Sequence, residues 1–153
     1  TALDEAKRVG TRVALSLSDP FCVTRHKEDF KSLLQGYASM VFSNQEEAFT
    51  LLETDVTQDA VDTMSKWTET VVLTLGENGA IISHLGQTYY IDPYLIRVED
   101  TTGAGDAFNG GLAFGLLKEK PIKECLEFAN KVAGLSTTKL GAGNAMPFLK
   151  EIN

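Results

Sequence analysis

Apolar residues follow two alternating patterns along the first half of the chain. Stretches with apolar positions every three or four residues predict amphipathic helices, and runs of β-branched and apolar residues between them predict strands. The predicted helices cover 2–9, 24–37 with Thr24 as N-cap, 45–53 and 58–67, and the predicted strands cover 11–17, 39–42 and 70–75. Buried strands that alternate with helices are typical of α/β proteins. The pattern therefore predicts a mostly parallel sheet with helices on both faces.

The second half of the chain predicts three shorter strands followed by two helices. The strands cover 79–85, 87–91 and 94–98, with turn residues Gly86 and Pro93 between them. One helical stripe covers 104–116, and a second begins with Pro121 at its first position and ends at 141–143. No internal repeat, low-complexity tract or linker interrupts the pattern, so we expect one domain.

Composition excludes several classes of protein. The chain has 153 residues, 43% of them hydrophobic, which suits a globular domain with a core. Its net charge of -7 argues against nucleic acid as a partner, because binding phosphates depends largely on Lys and Arg. Cys22 and Cys125 stand far apart without a metal-binding motif, which fits a reducing cytoplasm. No apolar run is long enough to span a membrane, so we expect a soluble protein without a membrane partner.

The stretch VEDTTGAGDAFNGG, 98–111, places one carboxylate after a glycine turn and at the start of a helix. Gly103 and Gly105 permit unusual backbone conformations, and the unpaired amides at a helix start can hold an anion. Asp106 could then accept a proton from a hydroxyl beside that anion. Taken alone, the stretch is explained better as a turn with an acid that complements the helix dipole. A Walker A loop is absent, and Phe108 occupies the third glycine position of the Rossmann pattern.

Three other segments carry candidate chemistry, each with a structural alternative. TLGENGA, 74–80, follows a strand and could bind an anion through Thr74, Gly76 and Gly79, or could be an ordinary hairpin turn. Asn44 and Glu47 could hold Mg²⁺ through water, although Asn-x-x-Glu is also a capping box, which is the favoured interpretation in isolation. Asn130 and the loop 141–145 could line a flat base pocket, or could be a helix with its C-cap. Neither histidine has a partner at catalytic spacing.

Taken in order, the segments SNQEEA, TLGENGA, VEDTTGAGDAFNGGLAFGL and ANKVAGLSTTKLGAGNAMP resemble the C-terminal half of the ribokinase-like, or PfkB, carbohydrate kinase family. The resemblance covers essentially 1–150. It implies a ribokinase-like three-layer αβα sandwich of the Rossmann-like kind. It also implies transfer of the γ-phosphoryl group of ATP to a hydroxymethyl group of a small sugar or nucleoside. ALSLSDPFCVTRHKEDF followed by YASMVFSNQEEA is similar to the adenosine-kinase-like branch.

The resemblance also implies a role for each candidate residue. Asp106 corresponds to the general base, and Gly103, Ala104 and Gly105 correspond to the anion hole. The implied nucleotide-binding residues are Thr74, Gly76 and Gly79 at the ATP phosphates and Asn130, Gly141, Gly143 and Asn144 at the adenine. Asn44 and Glu47 correspond to the Mg²⁺ motif, acting through water, and Asp100, Thr102 and the loop 138–143 correspond to the site of a monovalent cation such as K⁺.

One departure from the family pattern concerns the length of the chain. The N-terminal half of the family, with its Gly-Gly motif and substrate lid, has no counterpart in 1–153. We therefore expect a fragment or one piece of an assembly, self-associating through an exposed sheet edge as a homo-oligomer. Two rival hypotheses remain at this stage. One is a nucleotide-binding fragment without catalysis, and the other is an unrelated α/β binding protein whose Gly-Ala-Gly turn is structural.

Overall fold

The computed structural model describes residues 1–152, which fall into two compact units. The first unit comprises Thr1–Leu75 and Ile81–Tyr89, and the second comprises Gly76–Ala80 and the chain from Tyr90 onwards. No described helix is both long enough and apolar enough to cross a membrane.

The first unit contains five helices and most of a five-stranded sheet. Its helices are α1 (Ala2–Val9), α2 (Pro20–Arg25), α3 (Lys27–Gly36), α4 (Gln45–Leu52) and α5 (Thr57–Met64), and the strands are β1 (Ala14–Ser16), β2 (Met40–Asn44), β3 (Thr70–Thr74), β4 (Ala80–His84) and β5 (Gln87–Ile91). Gly10 ends α1 in the left-handed conformation, as its sequence position predicted. The predicted alternation of helices and strands is confirmed.

The sheet has the order β1-β2-β3-β4-β5 and is mixed. Its first three strands are parallel, with Ala14 opposite Met40 and Met40 opposite Thr70. The connections from β3 to β4 and from β4 to β5 are too short for a parallel crossover, so these pairs run antiparallel. The parallel half of the sheet brings the carboxyl ends of β1, β2 and β3 to one edge.

One hydrophobic cluster holds the first unit together. It joins buried side chains of the strands, such as Val41, Val71 and Leu73, to Leu51 of α4 and Met64 of α5. β2 and β3 are buried along nearly their whole length, as continuous apolar runs require.

The beginning of the second predicted helix is a correction. Thr24 is not its N-cap, because it lies inside α2 and its Oγ1 donates to the Pro20 carbonyl oxygen at 2.9 Å. Asp19 caps α2 instead, accepting from the amides of Phe21 and Cys22. A separate helix, α3, then begins at Lys27 without a side-chain cap. Asp19 followed by Pro20 is a typical helix start, and it lies between the predicted strand 11–17 and the predicted helix 24–37.

The second unit consists mainly of two packed helices, α6 (Ala104–Leu117) and α7 (Ile122–Ser136), followed by the short helices α8 (Ala142–Ala145) and α9 (Leu149–Ile152). Glycines allow α6 to lie very close to α7. A Cβ added at Gly111 would lie 2.9 Å from the Ala129 Cα, and one added at Gly115 would lie 2.9 Å from the Cys125 Sγ. These glycines are therefore required by packing.

Three predictions for the second unit are wrong in detail. The segment 94–98 is not a strand, because it runs without regular structure. Pro121 is the N-cap of α7 rather than its first residue, and α7 ends at Ser136. The glycines of 141–143 therefore do not end α7, and Gly141 instead precedes α8.

Candidate functional site

The glycine turn before α6 is held by close packing against the loop that carries Gly141. Gly103 has φ 78° and is the N-cap of α6. A Cβ at Gly103 would lie 2.7 Å from the Ala142 Cβ, so no larger residue fits there. The structure thus brings the predicted anion hole next to 141–144, two segments that are distant in the sequence.

Asp106 lies in the first turn of α6 with an exposed side chain. This is the position expected of a base that reaches a substrate, and it is equally the position of an acid that complements the helix dipole. Gly105 and Asp106 occupy helix positions whose amides have no intrahelical acceptor. The Ala104 amide, in contrast, donates to the Thr101 carbonyl oxygen at 3.1 Å. The Ala104 amide is therefore already paired within the turn.

Asp100 ties the same turn to the loop at Gly141. Its Oδ1 accepts from the Thr102 amide at 2.9 Å and from the Thr102 hydroxyl at 2.6 Å, and its Oδ2 accepts from the Gly141 amide at 2.8 Å. These hydrogen bonds, with the Thr102 hydroxyl first, lower the pKa of Asp100 below its ordinary value. Asp100 is therefore a carboxylate that organises the turn.

A cleft of about 350 Å³ in the second unit collects residues from three of the predicted motifs. Gly76 of the phosphate-loop candidate, Ala104 of the anion-hole candidate and Asn130 of the base-pocket candidate all line it. The walls are mostly apolar, as in ligand pockets generally. Gly141, Gly143 and Asn144 lie instead in and before α8, whose Ala142 contacts Gly103.

The segment 92–100 supplies cleft residues that the sequence analysis did not identify. Asn130 Nδ2 donates to the Asp92 carbonyl oxygen at 2.7 Å, and the amides of Glu99 and Asp100 donate to the Thr137 carbonyl oxygen at 2.8 and 3.1 Å. Tyr94 lies between these attachments and packs on Gly134. The apolar pattern of 94–98 signalled burial, and it was assigned to a strand rather than to a cleft wall.

Within the first unit, the ends of β2 and β3 bring two motifs together. Asn44 and Thr74 are register partners at the carboxyl ends of these strands. Thr74 is half-buried, and its Oγ1 lies 3.5 Å from the Ser43 carbonyl oxygen. The carboxyl edge of an open α/β sheet is the usual ligand edge.

The capping-box interpretation of Asn44 and Glu47 is confirmed. Asn44 Oδ1 accepts from the Glu47 amide at 2.8 Å, and Glu47 Oε2 accepts from the Asn44 amide at 3.0 Å. Glu47 Oε1 also accepts from Asn44 Nδ2 at 2.8 Å. The Glu47 side chain is buried, which raises its pKa, and the negative charge of Asp19 raises the pKa further. Asp19 is thus a second acid near this motif that the sequence analysis did not assign.

The last glycine of the turn TLGENGA cannot be replaced without a steric clash. Gly79 has φ 87°, and a Cβ there would lie 1.9 Å from the Ile91 carbonyl oxygen. Gly76 also has a positive φ of 59°, yet a Cβ there would meet open space. Gly79 is therefore explained by packing, which leaves Gly76, at the cleft, as the residue with spare room for a ligand.

The two histidines and the two cysteines form no catalytic arrangement among the described residues. His26 Nδ1 lies 3.3 Å from Asp29 Oδ2, and His84 Nδ1 lies 2.8 Å from the Thr70 Oγ1. Cys22 and Cys125 are free cysteines. Within the described part of the chain, no three His, Cys, Asp or Glu side chains form a cluster that could hold a metal ion.

Similarity to a known family excludes one of the two rival hypotheses. The profile of the pfkB family carbohydrate kinases matches residues 1–149. The chain belongs to the pfkB family. Family members named ribokinase and sugar kinase are phosphotransferases, so the hypothesis of an unrelated α/β binding protein is wrong.

Individual relatives agree with this assignment. The ribokinase of Haemophilus influenzae is 34% identical over 152 residues, covering 95% of this chain and 47% of that enzyme. The crystal structure of adenosine kinase from Sinorhizobium meliloti matches with a TM-score of 0.88 and 30% identity, covering 97% of this chain and 46% of that one. A fructokinase double mutant from Vibrio cholerae in a form bound to fructose, ADP and potassium ion matches with a TM-score of 0.85 and 26% identity, covering 99% of this chain and 52% of that one.

These matches confirm the predicted family and the ribokinase-like α/β fold. They also establish a difference in length, since this chain spans about half of each of those relatives.

Proposed function

We propose that the chain is the nucleotide-binding and phosphoryl-transfer part of an ATP-dependent kinase that acts on a hydroxymethyl group of a small sugar or nucleoside. One observation carries the proposal. Gly76, Ala104 and Asn130, which belong to three separate motifs, line a single cleft of about 350 Å³. Asp106 follows Ala104 in the first turn of α6, so a base stands beside a site suited to a polyphosphate.

In this proposal Asp106 takes the proton of the substrate hydroxyl. The hydroxyl oxygen forms a bond to the γ-phosphorus, the bond from that phosphorus to the bridging oxygen of ADP breaks, and ADP leaves. Negative charge on the transferred group would be met by the amides of Gly105 and Asp106 and by the partial positive charge of the α6 N-terminus. Gly103 keeps the turn close to Ala142 and so fixes where those amides point.

The proposal includes two cations, and two residues are assigned to each of them. The oxygens of Glu47 already accept from Asn44, and the Glu47 side chain is buried, so this pair fits Mg²⁺ only through water. When bound, Mg²⁺ would neutralise charge on the transferred phosphate. Asp100, kept ionised by its hydrogen bonds, and Thr102 are suited to the neighbourhood of a monovalent cation such as K⁺.

A second candidate function is nucleotide binding without catalysis. The residues of the cleft that would bind the nucleotide all lie in this chain, which spans 47% of the Haemophilus influenzae ribokinase. A nucleotide-binding fragment without catalysis would keep the cleft and lack turnover. β1 is also the terminal strand of the sheet among the described residues, and a terminal strand supports the proposal of self-association. Two free cysteines suit the reducing cytoplasm as the proposed location.

Replacing the proposed base tests these alternatives. We expect Asp106→Asn to lower turnover at least about 100-fold, the loss typical of a missing general base, while ATP binding measured by calorimetry is kept. Asp59→Asn is the matched control, because Asp59 is an exposed acid in the first turn of α5. Turnover is measured with ribose, fructose and adenosine as acceptors.

Each outcome separates one hypothesis from the others. ATP binding without transfer to any acceptor by the unmodified chain favours the non-catalytic fragment. Near-normal turnover of Asp106→Asn contradicts the assignment of the base. If ATP does not bind at all, both proposed functions are wrong.

A further inference from the structure

The segment 92–100 is hydrogen-bonded to α7 at one end and to the C-cap of α7 at the other, with an aromatic contact between them. Asn130 Nδ2 donates to the Asp92 carbonyl oxygen, and the amides of Glu99 and Asp100 donate to the Thr137 carbonyl oxygen. Between these points the Tyr94 side chain lies against Gly134, where an added Cβ would come within 2.7 Å of the Tyr94 Cδ1 and 3.0 Å of its Cβ. The glycine therefore makes the room that the ring occupies.

Two of the polar side chains of the cleft are engaged within the second unit itself. Four of its lining side chains carry polar groups, namely Glu77, Tyr94, Asn130 and Thr137. The Thr137 hydroxyl donates to the Gly134 carbonyl oxygen at 2.7 Å, and Asn130 Nδ2 donates to Asp92. The Thr137 hydroxyl proton is thereby engaged, whereas the Asn130 amide keeps its second N–H and its Oδ1. Because the walls are mostly apolar, a base bound here would be recognised mainly through contact with flat or apolar surfaces.

We propose that Tyr94, seated on Gly134, is the stacking surface for a purine base of the nucleotide. The inference rests on the proposed nucleotide-binding function and adds the residue pair that holds the base. The Tyr94 residue is 39% exposed, so part of its surface stays open while Gly134 supports the ring. Stacking on an aromatic ring depends little on which base is present, because every base has a flat π face. The site accordingly accepts adenine and guanine nucleotides alike.

Substitutions of Tyr94 test the stacking surface. Tyr94→Ala is expected to weaken ATP binding about tenfold, within the range measured when an aromatic stacking partner is removed. Tyr94→Phe keeps the ring and is expected to bind ATP within about twofold of the unmodified chain. Tripolyphosphate has no base, so its affinity should be the same for all three proteins. This ligand separates loss of stacking from a general disturbance of the cleft.

A pair of helical glycines tests the support of the ring. Gly134→Ala places a methyl group against Tyr94 and is expected to weaken ATP binding severalfold. Gly110→Ala is the control, because Gly110 lies in α6 and an added Cβ meets nothing within 4 Å. Affinities are measured by calorimetry for ATP, GTP and tripolyphosphate on each variant.

The results distinguish this inference from the proposed function. ATP and GTP affinities within about tenfold of each other, with a loss on Tyr94→Ala that tripolyphosphate does not show, support it. Unchanged ATP binding by Tyr94→Ala, an equal loss for tripolyphosphate, or discrimination against GTP by more than about tenfold overturns it while leaving nucleotide binding intact. Failure of the unmodified chain to bind any nucleotide overturns the proposed function and this inference together.

Discussion

Neighbouring glycines in α6 should respond in opposite directions to the same substitution. At Gly111 an added Cβ would lie 2.9 Å from the Ala129 Cα and 3.2 Å from the Val132 Cβ. The first of these atoms is backbone, so α6 and α7 would have to move apart. At Gly110, one residue earlier, the added Cβ meets open space. Only packing distinguishes the two positions, because both lie inside the same helix.

The magnitudes follow from two opposing contributions. Replacing glycine with alanine inside a helix stabilises it by about 1 kcal/mol through backbone entropy. Inserting a methyl group into a close-packed interface costs about 1–3 kcal/mol. We therefore expect Gly110→Ala to raise the free energy of unfolding by about 0.5–1 kcal/mol and Gly111→Ala to lower it by about 1–2 kcal/mol. The difference between the variants is then about 1.5–3 kcal/mol.

Urea unfolding of the two variants beside the unmodified chain measures this difference. Thermal unfolding gives an independent value, since about 1 kcal/mol shifts the Tm of a chain of this size by about 2–4 °C. Equal effects at both positions, or a stabilised Gly111→Ala, would show that α6 and α7 are not in the close contact described here.

Two further predictions concern loops of the candidate site. Gly79→Ala should lower the free energy of unfolding by about 3 kcal/mol or more, because the added Cβ would overlap the Ile91 carbonyl oxygen at 1.9 Å. Gly76→Ala should lower it by only about 1–2 kcal/mol, because the sole penalty there is the positive φ. Similar Tm values for the two variants would contradict this difference. The pKa of Asp100 is lower in the folded state than its ordinary value of 3.8, so Asp100 contributes stability above that value and the contribution is lost as the pH falls through the lower, folded-state pKa. A plot of Tm against pH between about 2 and 6 should therefore fall less steeply on the acid side for Asp100→Asn than for the unmodified chain, and parallel curves would count against the hydrogen bonds assigned to Asp100.

Local sequence signals predicted most elements of the fold because their causes are local. The run 70–75 consists of β-branched residues and leucines, and it forms the buried strand β3. Gly10 and the Asn44–Glu47 capping box marked helix boundaries that the structure confirms. The segment 94–98 failed because a short apolar run indicates burial without indicating what covers it. It packs along α7 through Tyr94 and Gly134, a contact that no local pattern specifies.

The motifs of the candidate site could be predicted from the sequence, whereas the long-range contacts that hold these motifs in place could not. The glycines and Asp106 stand together in the sequence, so their placement at one helix start needed only a turn and a helix. The hydrogen bond from the Gly141 amide to Asp100, and the contact of Gly103 with Ala142, join segments that are far apart in the sequence. Asp19 raises the pKa of Glu47 because the parallel pairing of β1 and β2 brings the residues that follow these strands to the same edge of the sheet. Such relations follow from tertiary structure and have no counterpart in spacing.

The contrast between the α6–α7 pair and the parallel strands has a consequence for the order of folding. α6 and α7 are joined by a short connection, so their many contacts close only small loops. The pairing of Ala14 with Met40, and of Met40 with Thr70, must instead close a long crossover each time. Because contacts close in sequence form faster than distant ones, the α6–α7 hairpin should assemble before the sheet does. During refolding of the full chain, the unpaired β1, β2 and β3 would then be the last segments to find partners, and these strands are where aggregation would begin.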